Sequence, residues 1–133
     1  MFDDDEVEFS NAWGVDDSSL LKKTLQQADA DFAADKKFFF HVMTVSSHQP
    51  FTYPDGKIDL PSGTGRNGGI MYADYALKEF IKEAKTKPWF DDTIFVMIAD
   101  HTANSSGRVG LSVDKYHIPF MVYSPKHIKP QAV

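Results

Sequence analysis

An acid and an imidazole stand side by side at the end of an apolar run, and together they offer two metal-binding groups. The run Thr93–Ala99 is rich in β-forming residues and leads directly into Asp100 and His101. Such a run predicts a buried strand, and open α/β sheets bind ligands beyond the carboxyl ends of their strands. A carboxylate with an imidazole suits Zn²⁺ or Mn²⁺, and suits Mg²⁺ less because Mg²⁺ prefers oxygen. The pair therefore predicts a metal or catalytic site.

The same pair has a purely structural interpretation. Asp100 and His101 could cap the strand end and hydrogen-bond the following loop, in which case the chain would be a non-enzymatic α/β interaction module. A structural zinc takes about four protein ligands and a catalytic zinc about three. The nearest further candidates in sequence are Asp114 and His117. Because two ligands do not make a site, both interpretations stay open on the residues alone.

A second candidate group follows another apolar run. Lys37–Val45 predicts a buried strand, and His48 lies in the loop after it. An imidazole there could contact an anionic substrate oxygen or a leaving group, although an ordinary loop histidine is the simpler interpretation. Arg66, in a glycine-rich stretch, could pair with a phosphate or sulfate, or be an exposed loop arginine. The glycines match neither a P-loop nor a dinucleotide fingerprint, and no G-x-S-x-G elbow is present.

The other histidines and the tryptophans have structural interpretations. His41 lies among phenylalanines in the first predicted strand and is expected to be a core histidine, whereas His127 is expected to be exposed. Trp13 and Trp89 are expected to pack rather than to bind a ligand.

The elements that would position these groups form a βαβ unit. Apolar residues at helical spacing after Asp16 predict one helix, and a second helix follows the long loop Ser46–Gly69 and ends before Pro88. The last strand is predicted at Ile118–Ser124. Strands joined through a helix run parallel in a right-handed crossover, so their carboxyl ends share one side of the sheet. We therefore expect His48 to face the same crevice as the acid–imidazole pair.

Composition narrows the possible functions. The 133 residues suit one domain, and 42% hydrophobic residues are enough for a core. A net charge of −5 argues against a nucleic-acid footprint, which is basic. The absence of cysteine excludes disulfides, thiolate metal sites and a cysteine nucleophile. No apolar run has the roughly 18–20 residues of a membrane-spanning helix, and no signal peptide is visible.

The order of five short patterns resembles the lipoteichoic-acid-synthase-like members of the sulfatase and alkaline-phosphatase superfamily. The resemblance covers most of the chain, roughly from Trp13 to Pro125. The patterns are Phe39-x-x-x-Met43-Thr44-x-Ser46-Ser47-His48-x-Pro50-Phe51, Tyr72-x-Asp74-Tyr75-Ala76-Leu77, Pro88-Trp89-Phe90-Asp91-Asp92-Thr93, Ala99-Asp100-His101 and Tyr116-His117-Ile118-Pro119.

This resemblance implies an alkaline-phosphatase-like α/β sandwich with a mostly parallel sheet and one divalent metal, usually Mn²⁺, Mg²⁺ or Zn²⁺. It implies attack on a phosphoglycerol, phosphoethanolamine or sulfate ester, in some members lipid-linked. Asp100 and His101 would be metal ligands and His48 would contact the substrate, with His117 as a weaker candidate. Arg66 remains a weak candidate on its residue type and position alone. The family's enzymes are expected at the bacterial inner membrane, with an extracytoplasmic catalytic domain.

Two departures from the family pattern matter. Thr102 stands where the superfamily usually has glycine after Asp-His, which suggests an altered turn but leaves both ligands in place. The family's nucleophile and first acidic ligand lie upstream, in a half with no counterpart here. Residues 1–133 are therefore expected to be the C-terminal part of such a catalytic domain, inactive alone. A piece cut from a larger sheet would expose an unpaired edge and apolar surface, and it would either self-associate along that edge or be marginally stable.

Overall fold

The computed structural model describes residues 2–3, 6–102 and 116–131, and the chain divides into two compact units, Met1–Lys87 and Pro88–Val133. The first unit contains the short strands β1 (Ser10–Asn11) and β2 (Gly14–Val15) and the helices α1 (Asp17–Ala33) and α2 (Arg66–Ala84). The second contains the strands β3 (Phe95–Ile98) and β4 (Phe120–Tyr123). The α/β class is confirmed. Within the described ranges, no helix is long and apolar enough to cross a membrane.

The helix α1 begins where the capping residues predict it. The Asp16 carboxylate accepts hydrogen bonds from the backbone N–H groups of Ser18 and Ser19, which satisfies two of the donors that a helix start leaves unpaired. The buried face of α1 carries Leu21, Leu25 and Ala28. These positions recur at three and four residues, as the helical spacing of the apolar residues predicts, but Phe32 at the end of the same series is exposed.

The helix α2 starts at Arg66, so its first turn lies inside the segment that was predicted to be a loop, Ser46–Gly69. It packs against α1. Its buried face is centred on Tyr72 and Ala76, whereas Ile70, the first apolar residue of the helix, is half exposed. The Tyr72 hydroxyl donates a hydrogen bond of 2.5 Å to Asp16 Oδ1. Burial first, and then this bond, raise the pKa of Tyr72 well above its usual range, so the hydroxyl stays a donor at neutral pH.

A buried carboxylate ties the start of α1 to the segment before the His48 loop. Asp17 Oδ1 accepts from the backbone N–H groups of Val45 at 2.8 Å and Ser46 at 2.9 Å. In return, the Asp17 N–H donates to Ser46 Oγ at 3.1 Å. We refer to these three bonds as the Asp17 clamp. Since the side chains of Asp17 and Ser46 are both buried, the clamp satisfies polar groups that water does not reach.

The predicted strand at 37–45 is extended but belongs to no ladder among the described strands, so its assignment as a paired strand was wrong. The rings of Phe38 and Phe40 stack on one side with centroids 5.2 Å apart, as residues two apart do in an extended chain. Phe39, on the alternate position, is 91% exposed. His41 is also exposed, which corrects its interpretation as a core histidine. A run of aromatic residues favours an extended backbone, but a β-strand also needs a neighbouring strand to which its backbone can hydrogen-bond.

The second unit is built on an antiparallel hairpin, which corrects the expectation of a mostly parallel sheet. Val96 pairs with Val122 and Ile98 with Phe120. The rings of Phe90 and Phe95 approach to 5.6 Å between centroids, on the side where Phe90 is buried. The strands β3 and β4 therefore run antiparallel and place apolar side chains opposite one another.

Removing the Asp17 carboxylate should destabilise the first unit. In Asp17→Ala the amides of Val45 and Ser46 lose their acceptor, which we expect to lower the free energy of unfolding by about 3 kcal/mol. Urea denaturation followed by circular dichroism measures this change. Asp74→Ala, at an exposed position of α2, is the control and should change stability by less than about 0.5 kcal/mol. Equal effects of the two substitutions would contradict a stabilising role for the clamp.

Candidate metal centre and histidine loop

Asp100 and His101 lie immediately beyond the end of β3. The Ala99 N–H donates to the Pro119 carbonyl at 3.2 Å, so the antiparallel pairing continues one residue past β3. The acid–imidazole pair then follows on the exposed end of the hairpin. The structure thus places Asp100 and His101 at a strand end, as the sequence predicts, although β3 pairs with an antiparallel neighbour.

The hydrogen bonds of His101 assign its tautomer. Its Nδ1 lies 2.8 Å from the Thr102 carbonyl oxygen. Because a carbonyl oxygen only accepts, the proton of the neutral ring is on Nδ1, and Nε2 keeps its lone pair. Metal-binding histidines commonly have this arrangement, in which one ring nitrogen donates to a carbonyl and the other binds the metal.

The two potential ligand atoms lie close together. His101 Nε2 is 3.4 Å from Asp100 Oδ2, while Asp100 Oδ1 accepts from the His101 backbone N–H at 2.9 Å. Two ligands of a tetrahedral ion, each about 2.1 Å from the metal, are separated by about 3.4 Å. The spacing of the oxygen and nitrogen therefore fits a shared divalent cation. A protonated imidazole paired with the carboxylate would also satisfy both atoms, as the strand-cap interpretation requires.

No third ligand joins this pair among residues 2–3, 6–102 and 116–131, where no group of three or more His, Asp or Glu could hold a metal. His117 is exposed and lies just before Pro119, hence at the same end of the hairpin. Asp114, the other candidate, lies outside the described residues.

His48 lies exposed in a tight loop of the first unit. Its backbone N–H donates to the Val45 carbonyl at 2.9 Å, and its own carbonyl accepts from the Phe51 N–H at 2.7 Å. The side-chain Nδ1 lies 2.9 Å from the Gln49 carbonyl oxygen. As in His101, this contact places the proton of the neutral ring on Nδ1. The other ring nitrogen, Nε2, is then an acceptor on the side of the ring away from the Gln49 carbonyl.

Trp13 is the residue of this loop region that sequence reasoning missed. It lies in the turn between β1 and β2, and its ring centroid is 3.9 Å from that of His48 at an interplanar angle of 45°. The expectation that Trp13 packs gave no indication of this partner. The sequence could have indicated this contact, because Trp13 stands next to Gly14, which is typical of a turn. Turns run over the surface, so a tryptophan in a turn is not expected in the core.

The start of α2, which carries the exposed Arg66, packs closely on the His48 loop. A Cβ atom at Gly69 would lie 2.9 Å from the Ser46 carbonyl oxygen and 3.3 Å from Ser47 Cα. Such contact distances require a glycine. The structure therefore brings the first turn of α2 next to the residues that lead into His48.

His48 and Arg66 belong to the first unit, whereas Asp100, His101 and His117 belong to the second. The convergence of the two groups on one crevice stays a prediction.

Comparison with known proteins assigns a family to nearly the whole chain. Residues 2–133 match the family model described as Sulfatase. The lipoteichoic acid synthase of Staphylococcus saprophyticus is 31% identical over 96 residues, which are 65% of this chain and 15% of that protein. Phosphoglycerol transferase I of Salmonella paratyphi B is 27% identical over 130 residues, which are 89% of this chain and 16% of that protein. The chain thus spans less than a fifth of the length of these curated relatives.

Two solved structures are similar in fold. A protein of the alkaline phosphatase superfamily from Vibrio parahaemolyticus superposes with a TM-score of 0.85 at 38% identity, over 94% of this chain and 31% of that chain. The lipoteichoic acid synthase of Listeria monocytogenes superposes with a TM-score of 0.68 at 27% identity, over 92% of this chain and 35% of that chain. The resemblance stated from the sequence patterns is confirmed.

Adding a methyl group at Gly69 should displace the His48 loop. An alanine in a helix normally stabilises it relative to glycine, but here the Cβ meets the backbone of Ser46, and we expect Gly69→Ala to cost about 1–3 kcal/mol. Chemical denaturation measures the stability, and amide shifts report the loop. Asn67→Ala, exposed in the same helical turn, is the control. A Gly69→Ala protein at least as stable as the wild type would contradict the close packing.

Proposed function

Because the chain belongs to the sulfatase family, we propose that it forms part of a metal-dependent enzyme acting on phosphate or sulfate esters, with Asp100 and His101 as two metal ligands. The observation that supports these roles most is the 3.4 Å between Asp100 Oδ2 and His101 Nε2. In the neutral tautomer, both atoms present lone pairs, and only a cation or a proton between them makes this approach favourable.

The proposed metal would be Mn²⁺, Zn²⁺ or Mg²⁺, since one oxygen and one imidazole nitrogen are compatible with all three. When bound, such an ion polarises an ester oxygen and lowers the pKa of a coordinated group. Asp100 and His101 hold the metal, and the Thr102 carbonyl keeps the imidazole proton on Nδ1. Thr102 itself, although it replaces the usual glycine, thus contributes an orienting acceptor through its backbone.

His48 would contact the substrate through Nε2, either donating to an ester oxygen when protonated or accepting from a hydroxyl when neutral. Arg66 and His117 are further candidates for pairing with the anion. Arg66 is supported by its place in the first turn of α2, which packs beside the His48 loop. The nucleophile is not assigned to any residue of this chain.

Phosphoglycerol is the substrate group that the relatives favour. One relative is a phosphoglycerol transferase, and two others are lipoteichoic acid synthases. We therefore propose transfer or hydrolysis of a phosphoglycerol ester, with phosphoethanolamine and sulfate esters as alternatives. A lipid-linked donor and an extracytoplasmic catalytic domain belong to the same proposal.

The 133 residues alone are proposed to be inactive. A catalytic metal has about three protein ligands, whereas the described residues bring only Asp100 and His101 together. A longer protein that contains this chain would supply the missing ligand and the nucleophile.

Calorimetric titration with Mn²⁺ tests the proposed ligands. We expect Asp100→Ala and His101→Ala each to weaken Mn²⁺ binding by at least about tenfold, since even residues that only support metal ligands cost about 10- to 100-fold when changed. Asp91→Ala and His127→Ala, both exposed in the same unit, are the controls and should bind as the wild type does. Wild-type affinity in both ligand variants would favour the strand-cap interpretation and an interaction module.

Self-association is a second proposal, and the exposed face of the hairpin supports it. Ile94, Val96, Ile98 and Phe120 are each more than half exposed, and cross-strand pairing places Ile98 beside Phe120. Contiguous apolar surface of this kind recruits partners, here a second copy of the chain.

Light scattering after size-exclusion chromatography tests this association. We expect the wild type to form dimers or larger species and Val96→Glu to shift the distribution towards monomer, because a charge would have to be buried. Lys129→Gln, which changes the net charge equally at an exposed position, is the control. A monomeric wild type would overturn the proposal.

A further inference from the structure

Trp13 is an exposed tryptophan whose ring is nevertheless held on both its face and its edge. The indole is 55% exposed, yet its face contacts His48 and its Nε1–H donates to the Gln49 carbonyl at 2.9 Å. An exposed tryptophan without a task in the loop would need neither contact. The contacts join residues 35 and 36 positions apart, so they dock the β1–β2 turn onto the His48 loop.

The Gln49 carbonyl receives two donors at once. Trp13 Nε1–H and His48 Nδ1–H each lie 2.9 Å from this oxygen, which has two lone pairs and can accept both. The indole donor and the imidazole therefore meet at one carbonyl, and because a carbonyl only accepts, the proton of the neutral imidazole is on Nδ1. The indole ring also lies against the imidazole, with the ring centroids 3.9 Å apart and the planes tilted by 45°.

The turn that carries Trp13 is itself anchored. Asn11 Oδ1 accepts from the Trp13 backbone N–H at 2.8 Å, and Asn11 Nδ2 donates to Thr52 Oγ1 at 3.0 Å. Gly14 follows with a φ of +138°, which favours glycine and lets the chain reverse after Trp13. The turn thus contacts the loop at two points that follow His48, Gln49 and Thr52.

We propose that Trp13 is a positioning residue that sets the tautomer and ring orientation of His48. It holds the neutral imidazole with Nδ1 protonated and with Nε2 presented as an acceptor. This role deepens the proposed function, because it decides which His48 nitrogen meets the phosphoglycerol group. The tautomer can be measured on the protein without added metal or substrate, so this role can be tested apart from that function. Trp13 acts through His48 and is not itself a catalytic residue.

The direct test is the nitrogen spectrum of the His48 ring in the 133-residue chain, at alkaline pH where ordinary imidazoles are neutral. A nitrogen without a proton resonates well apart from one that carries a proton, and His48→Ala assigns the signals among the five histidines. We expect the wild type to show protonated Nδ1 and bare Nε2. Trp13→Phe, which keeps a ring but loses the donor, should move the tautomer ratio toward Nε2–H by roughly threefold to tenfold.

Trp13→Ala should move the ratio at least as far and also release the ring. Phe39→Ala, another exposed aromatic of the same unit, is the matched control and should leave the His48 signals unchanged. A wild-type His48 protonated on Nε2 would overturn the proposal, and so would a Trp13→Phe spectrum equal to that of the wild type. Both measurements remain possible even if the Trp13→Ala protein fails to fold. If the tautomer shifts as expected but Mn²⁺ binding does not depend on Asp100, the positioning role stands and the proposed function fails.

Discussion

The Asp17 clamp is the interaction on which the geometry of the first unit depends. One buried carboxylate oxygen accepts two consecutive backbone donors, from Val45 and Ser46, at the point where an extended segment becomes the His48 loop. The same residue opens α1, so the register of the helix and the position of the loop are set together. Gly69 then allows α2 to close on the loop from the other side. A functional imidazole on a loop needs such support, because a loop by itself is mobile.

Two histidines of this chain make the same kind of contact with the backbone. His48 and His101 both direct Nδ1 at a backbone carbonyl, of Gln49 and of Thr102, and both therefore present Nε2 outward. In His101 the outward nitrogen meets the Asp100 carboxylate, which suits a cation. In His48 the ring lies against Trp13, and we propose that its outward nitrogen meets the substrate. Backbone carbonyls thus hold the ring proton on Nδ1 in both imidazoles without using another acidic side chain.

The elements that local chemistry determines were predictable, and those that need distant partners were not. Asp16 as a cap and the spacing of Leu21, Leu25 and Ala28 predict α1, because both signals lie within a few residues. The apolar run before Asp100 likewise predicts β3 and the exposed pair after it. Pairing direction was wrong because periodicity carries no information on the partner strand. The contact between Trp13 and His48 joins residues 35 positions apart, so no local pattern could indicate it.

We propose that Asp100 and His101, both in the second unit, hold a divalent cation. Paramagnetic broadening by Mn²⁺ tests it most directly, because the ring signals of all five histidines can be followed in one titration. We expect the His101 signal to be broadened at the lowest Mn²⁺ concentration and the signal of His127, exposed in the same unit, to be spared. Equal broadening of every histidine, or a sharp His101 signal while another histidine disappears, would contradict it.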